Sequence, residues 1–236
     1  MTDRDLLRDT VAQRFGSPAR RLAAYRAARW RWLARTRGLE GVKRGLDLVA
    51  AGLALLCLAP LFAIIALAIW LTDRGPVFFW QTRVGRHGRE FAFPKFRSMV
   101  IDAERLKDAL LAQSHHGQSV TFKMKRDPRV TRVGRMLRRW SLDELPQLWC
   151  VLKGDMSLVG PRPPVPREVA LYQVGDRRRL EVTPGLTCVW QVSGRGNVAF
   201  QQQVAMDVEY IETRSLRRDV MLLLKTIPAV LTGRGA

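Results

Sequence analysis

With 236 residues and 47% hydrophobic side chains, the chain is long enough to bury a core and too apolar to be disordered throughout. Forty Lys and Arg against 21 Asp and Glu give a formal charge of +19, which points to an anionic partner: nucleic acid, anionic lipid or a phosphorylated small molecule. The three cysteines, Cys57, Cys150 and Cys188, are odd in number and in no metal-ligand spacing, which excludes a disulfide framework and a zinc site and reads as a reducing compartment.

Residues 1–40 form a basic, amphipathic N-terminal extension. Ser17-Pro18 reads as an N-cap followed by proline at the first helical position. The run ARRLAAYRAARWRWLARTR then interleaves arginines with Leu22, Tyr25, Trp30, Trp32 and Leu33. That is the composition of an interfacial helix on anionic membrane lipid; a solvated charged helix is the alternative.

Residues 41–74 hold a membrane segment. No residue from Leu48 to Leu71 is charged, and a straight helix of that length runs about 36 Å against a hydrocarbon core of roughly 30 Å. Pro60 removes one helical hydrogen bond near the middle, which predicts a break into two halves of about 18 Å, each too short to cross. Arg35, Arg37, Lys43 and Arg44 precede the segment, and Arg74, Arg83, Arg86 and Arg89 follow it. Positive charge marks the cytoplasmic side, so a re-entrant helix that bends at Pro60 and leaves by the face it entered satisfies both ends. A single bitopic helix is the alternative.

The remainder, residues 75–236, reads as a cytoplasmic region. Two β-rich runs, Val77 to Val84 and Glu90 to Arg97, flank Gly85-Arg86-His87-Gly88 and predict a small hairpin. Asp102 to Gln113 repeats apolar residues at Leu106, Leu110 and Leu111, a short amphipathic helix. GPRPPVP, from Gly160 to Pro166, is too proline-rich for a helix or central strand. Two further helices are expected, one from near Asn197 through Phe200 to Ile211. The other is capped by Ser215, contains Pro228, and presents an apolar face that is either core or interfacial.

The stretch Ser141-Leu142-Asp143-Glu144-Leu145-Pro146 sets two acids side by side in this basic chain. Ser-x-x-Glu is the capping-box pattern, which gives the pair a purely structural reading. Pro146 resists it, because it disfavours helical geometry at Leu145 and deletes a donor where the helix would propagate. The neighbouring cations, Arg135, Arg138, Arg139, Lys153 and Arg162, suit a second reading. A carboxylate, with a reference pKa of about 3.9, is already an anionic nucleophile towards phosphorus, provided that guanidinium groups or Mg²⁺ cancel its repulsion from a diphosphate. Residue spacing alone leaves both readings standing.

Six runs, KRGLDLVAAGLALL, FPKFRSM, DPRVTRVGRMLRRWSLDELPQLW, VLKGDMSLVGPRP, TPGLTCVWQVSGRG and KTIPAVLTGRGA, closely resemble the bacterial sugar transferases, the monotopic phosphoglycosyl transferases. They cover roughly residues 43 to 236. The resemblance implies a mainly helical, membrane-associated α+β fold with a proline-broken re-entrant helix, a Mg²⁺ cofactor held by Asp143 and Glu144, and a location at the bacterial inner membrane with the active site on the cytoplasmic face. It implies transfer of a sugar 1-phosphate, a hexose by resemblance to exopolysaccharide-type members, from a UDP-sugar to polyprenyl (undecaprenyl) phosphate, with release of UMP. Asp143 would attack the β-phosphorus and carry the sugar phosphate, with Glu144 as its partner acid. Lys95, Arg138 and Arg162 fall at the family's phosphate-facing positions; Arg97, Gln191 and Arg195 are further substrate-binding candidates.

Departures from the family pattern are Ala59 where many relatives place Ser, so that the helix break would rest on Pro60, together with Cys150 for Asn and Trp140 for a small residue. A homo-oligomer is left open. The rival reading, a membrane-tethered scaffold or nucleic-acid-binding protein, draws on the charge alone. No nucleic-acid motif supports it, so nucleic acid is not an expected partner.

Overall fold

The computed structural model describes residues 18–103, 105–106, 127–194 and 198–231. The body of the helix expected at Asp102–Gln113, Ser17 and Arg195 lie outside the described residues; Leu106 N–H donates to the Asp102 carbonyl (3.1 Å), the first turn of that expected helix. The chain divides into two compact units, residues 1–46 and 47–236.

Helix α1 runs Pro18–Asp73, starting on the proline and remaining helical through Pro60. Secondary structure is therefore continuous where the sequence predicts two half-helices. The lost hydrogen bond at Pro60 falls inside one helix. Its stop is locally encoded: Arg74 adopts φ 52°, its N–H caps the Trp70 carbonyl (2.7 Å), and Gly75-Pro76 cannot extend the turn.

In the second unit, α1 contributes one long stripe to the protein core. Ala51 packs with Phe91, Phe93, Leu148, Cys150, Val151 and Met156, joined by Ala54, Leu55 and Leu58. Further along, Ile65 and Ile69 pack with Phe96 and Leu137, joined by Leu61 and Phe62. Steps of three and four residues keep these side chains on one helical face. The ends of the stripe are fixed by carboxylates: Asp47 accepts from the Leu158 N–H (3.1 Å), and Asp73 pairs with Arg97. The other face exposes Val49, Leu53, Leu56, Ile64, Leu67 and Leu71, apolar surface that water does not favour. Glu40–Asp73 is long and apolar enough to cross a membrane.

Strands β1 (Phe78–Val84) and β2 (Glu90–Phe96) form the expected antiparallel hairpin, in register from Phe78↔Phe96 to Val84↔Glu90. Its turn uses His87 and Gly88 at φ 58° and 81°, where glycine is unstrained. Phe96 stacks on Phe78 at 5.4 Å and meets Phe62 edge-on at 5.1 Å, which ties β2 to α1.

Helix α2 (Arg132–Arg139) is capped by Thr131, whose side chain accepts from the Gly134 N–H. After it come a 3₁₀ turn, Leu142–Gln147, and α3 (Leu148–Lys153). A parallel pair, β3 (Ser157–Val159) with β4 (Gly185–Thr187), was not expected from the sequence. It is three residues a side, and a Cβ on Gly185 would stand 2.0 Å from Gly160 N, so the pair depends on two glycine-bearing loops meeting. The GPRPPVP run forms no regular structure up to Val165; α4 (Pro166–Val169) begins on its last proline, followed downstream by α5 (Val189–Ser193).

The two C-terminal helices are α6 (Phe200–Thr213) and α7 (Leu216–Leu231). Ser215 Oγ accepts from the Arg218 N–H at 3.2 Å, the expected cap. Val159, Tyr210 and Leu222 close the core here, while Val220, Met221, Leu224 and Ile227 of α7 stay exposed.

Candidate active site

The acid pair does not cap a helix. Ser141 adopts the left-handed conformation (φ 54°, ψ 22°) and its side chain makes no cap, while Glu144 turns away from the helix start altogether. Its carboxylate receives Lys95 Nζ at 2.9 Å and both Nη atoms of Arg162, at 2.5 and 3.2 Å. The capping-box reading therefore fails on geometry. In the 3₁₀ turn, side chains three apart eclipse and successive ones diverge, so Asp143 and Glu144 face different neighbours despite adjacency in sequence.

Four elements deliver these groups. Strand β2 presents Lys95 beside the 3₁₀ turn; the loop after β3 carries Arg162; α2 ends with Arg138, whose Nε donates to Ser98 Oγ at 2.9 Å. Ser98 is held against α2 by backbone contact, because Thr131 N–H donates to its carbonyl (3.1 Å) and Gly134 leaves no room for a side chain there: a Cβ would stand 1.9 Å from Ser98 O. A strand end, a helix and a turn are thereby locked in one place.

The two acids are electrostatically unlike. Against the desolvation of burial, Arg162 and Lys95 hold Glu144 well below the usual carboxylate range. Burial pushes Asp143 upward, partly offset by Lys95, and the nearby charge of Glu144 adds to the upward shift. Asp143 is 7% exposed and receives no hydrogen bond from any described residue, so its oxygens are the uncommitted ones of the pair. Burial draws Arg138 below its ordinary value, with Asp143 opposing.

Lys95 and Arg162 thus meet at Glu144, and Arg138 lies near Asp143. Arg97 goes elsewhere: it is buried and paired with Asp73 at the end of α1, so its guanidinium holds the helix rather than facing Asp143 or Glu144. Gln191 sits on α5, with its Oε1 buried and accepting nothing from the described residues. Cys150 is buried in the core and reaches the Ala92 carbonyl (3.5 Å).

Sequence reasoning missed three features. Arg83 of β1 is tied to the loop bearing Arg162 through the Pro163 carbonyl (2.9 Å); Ser98 orients Arg138; and Arg179 pairs with Asp207 at 2.7 Å, both nearly inaccessible. Arg83 stands alone and Arg179 is one of three successive arginines in a sequence with 40 basic residues, so only spatial neighbours distinguish them.

Among the described residues no group of three or more His, Cys, Asp or Glu side chains converges. The donor set matches a hard cation bound through one or two carboxylates, with water and substrate phosphate completing the shell. Asp143 supplies such oxygens; Glu144 already shares its own with two cations.

Comparison with known proteins gives a match to the sequence model of the bacterial sugar transferases over residues 39–233. The chain is 46% identical over 197 residues to the galactosyl transferase CpsE of Streptococcus agalactiae, covering 82% of this chain and 43% of that protein. It is 41% identical to the exopolysaccharide production protein ExoY of Rhizobium meliloti, covering 82% and 87%. A third relative, 43% identical and covering 80% and 70%, is the UDP-glucose:undecaprenyl-phosphate glucose-1-phosphate transferase of Caulobacter vibrioides. The chain thus spans under half the length of CpsE but most of ExoY.

Proposed function

Because the chain belongs to the bacterial sugar transferase family, we propose that it transfers a hexose 1-phosphate from a UDP-sugar to undecaprenyl phosphate at the cytoplasmic face of the inner membrane, initiating polysaccharide assembly. The observation that carries this reading is the division of labour in the acid pair. Both oxygens of Glu144 are engaged by Lys95 and Arg162, while Asp143 lies beside them with neither oxygen committed.

In the first step, an Asp143 carboxylate oxygen bonds to the β-phosphorus of the UDP-sugar. The bond from that phosphorus to the bridging oxygen breaks, and the oxygen leaves with its electron pair as part of UMP. In the second, an oxygen of undecaprenyl phosphate bonds to the same phosphorus, the acyl phosphate bond breaks, and Asp143 is regenerated as a carboxylate. Lys95, Arg162 and Arg138 bind phosphate oxygens and offset the repulsion between carboxylate and diphosphate. Glu144 keeps two of these cations oriented before substrate arrives. Mg²⁺, held through Asp143 with Glu144 adjacent, would neutralise phosphate charge when bound.

Membrane placement is supported by α1. Its exposed face is apolar over the segment whose two ends, Asp47 and Asp73, are both tied to the same folded body. A re-entrant segment bending at Pro60 would bring both ends to one membrane face, and the attachment of both ends to the folded body supports that reading. The exposed apolar face of α7 would also meet the membrane surface.

The test is UMP release by purified protein in nanodiscs with Mg²⁺, undecaprenyl phosphate and a panel of UDP-sugars, alongside D143N. One sugar giving UMP, with turnover in D143N reduced at least about a thousandfold, supports the covalent aspartate. Unchanged UMP release in D143N removes it, and UDP in place of UMP removes the reaction type.

A further inference from the structure

The cations that Glu144 holds do not exhaust the positive charge beside it. Arg83 is half-buried near the end of β1 and is fixed from two sides. Its Nε and Nη2 donate to Gln81 Oε1 at 3.1 and 2.8 Å, and its Nη1 donates to the Pro163 carbonyl at 2.9 Å. Both acceptor groups are neutral. The next residue, Val84, donates its N–H to the Pro164 carbonyl at 2.9 Å, so the strand and the loop bearing Arg162 are joined at consecutive residues.

No carboxylate among the described residues pairs with Arg83. Glu144 is occupied by Lys95 and Arg162, and Glu168, the other acid in its surroundings, accepts from the Val165 N–H at 3.3 Å. The guanidinium lies 5.1 Å from the centre of the fully buried Phe93 ring, and Lys95 Nζ lies 5.6 Å from the same ring. Two cations therefore share one aromatic side chain, and a third, Arg162, is close by. Burial, and next to it the charge of Arg162, pulls Arg83 down to about 10, although the charges of Glu168 and Glu144 oppose the shift.

Desolvating a cation beside like charges is costly unless an anion joins it. Here the guanidinium is held rigid by neutral acceptors, and each Nη keeps a second N–H that no described residue accepts. A planar fork fixed in this way suits two oxygens of one phosphate.

We propose that Arg83 is a further phosphate-binding residue of this site, donating from its two Nη atoms to a phosphate group of an anionic substrate. That the phosphate belongs to a nucleotide sugar or to a polyprenyl phosphate rests on the transferase reading; that the site takes a phosphate at Arg83 does not.

The experiment compares wild type, R83M and R83K in nanodiscs. Calorimetric titration with inorganic pyrophosphate and with UDP measures anion binding, thermal melting measures the fold, and KM is measured separately for the UDP-sugar and for undecaprenyl phosphate. R83M, which keeps the packing on Phe93 without the charge, is expected to weaken pyrophosphate binding about tenfold or more. R83K, which keeps the charge but not the fork, should recover part of that loss. The KM that rises with little change in kcat identifies which substrate's phosphate Arg83 holds. Wild-type pyrophosphate affinity in R83M overturns the proposal, as does equal weakening in R83M and R83K that tracks a shared fall in melting temperature, since Arg83 would then be only a clamp on the Pro163 loop. Should wild type release UMP from no UDP-sugar, the transferase reading falls while the pyrophosphate comparison still decides Arg83.

Discussion

Replacing Glu144 by Gln tests whether the acid pair is divided as described. The substitution keeps shape and removes the charge that receives Lys95 and Arg162 through three short contacts. Removing one partner of a buried ion pair costs about 3–5 kcal/mol; with the Glu144 side chain 19% exposed, the lower end, roughly 3 kcal/mol, applies. At about 2–4 °C per kcal/mol for a domain of this size, E144Q is expected to melt about 6–12 °C below wild type. The two cations that Glu144 restrained then turn wholly to the diphosphate. Sparing a displaced charge-assisted contact is worth about 1.5 kcal/mol, roughly tenfold tighter UDP binding. UDP at a hundred times its Kd adds about 2.7 kcal/mol and should recover most of the lost melting temperature. Thermal melting with and without UDP, together with calorimetric titration, reads both effects. A melting temperature within about 1 °C of wild type, or UDP affinity that falls with stability, would refute this account of Glu144.

Further outcomes follow from the same geometry. D143N is expected to melt at or above the wild-type temperature while losing turnover, because it removes a desolvated charge that no described group stabilises by hydrogen bonding; a large drop in melting temperature would make Asp143 structural. G134A places a Cβ 1.9 Å from Ser98 O and should cost about 1–3 kcal/mol of stability, with activity falling further as Ser98 releases Arg138. Wild-type kinetics in G134A would show that Arg138 needs no such support. Asp207, raised to about 6 chiefly by burial, binds its proton more tightly folded than unfolded, so its stabilising contribution is greatest below about pH 4 and declines by about 3 kcal/mol as pH rises through 6. Melting curves from pH 4 to pH 8 should show this decline in wild type and a flatter profile in D207N. Equal slopes in the two proteins would remove Asp207 as their cause.

What the sequence determined by itself is what local chemistry determines. The apolar run from Leu48 to Leu71, the hairpin around Gly85-Arg86-His87-Gly88 and the Ser215 cap each rest on residues adjacent in the chain, and each was legible because composition, turn propensity and capping act over a few residues. The acid pair was legible as an anomaly: two carboxylates in a basic setting, with Pro146 opposing the helix that would have explained them. Tertiary structure alone removed the capping reading. It rotated Ser141 into the left-handed region and sent Glu144 to Lys95, 49 residues earlier, and Arg162, 18 residues later. It also withdrew Arg97 to Asp73, and brought Arg83 beside Arg162 through the Pro163 carbonyl. In a chain with 40 basic residues, charge cannot identify its own partner. That choice is made by which distant backbones meet, as where Gly134 lies against Ser98 and Gly185 against Gly160, and close packing of this kind leaves no local pattern to read.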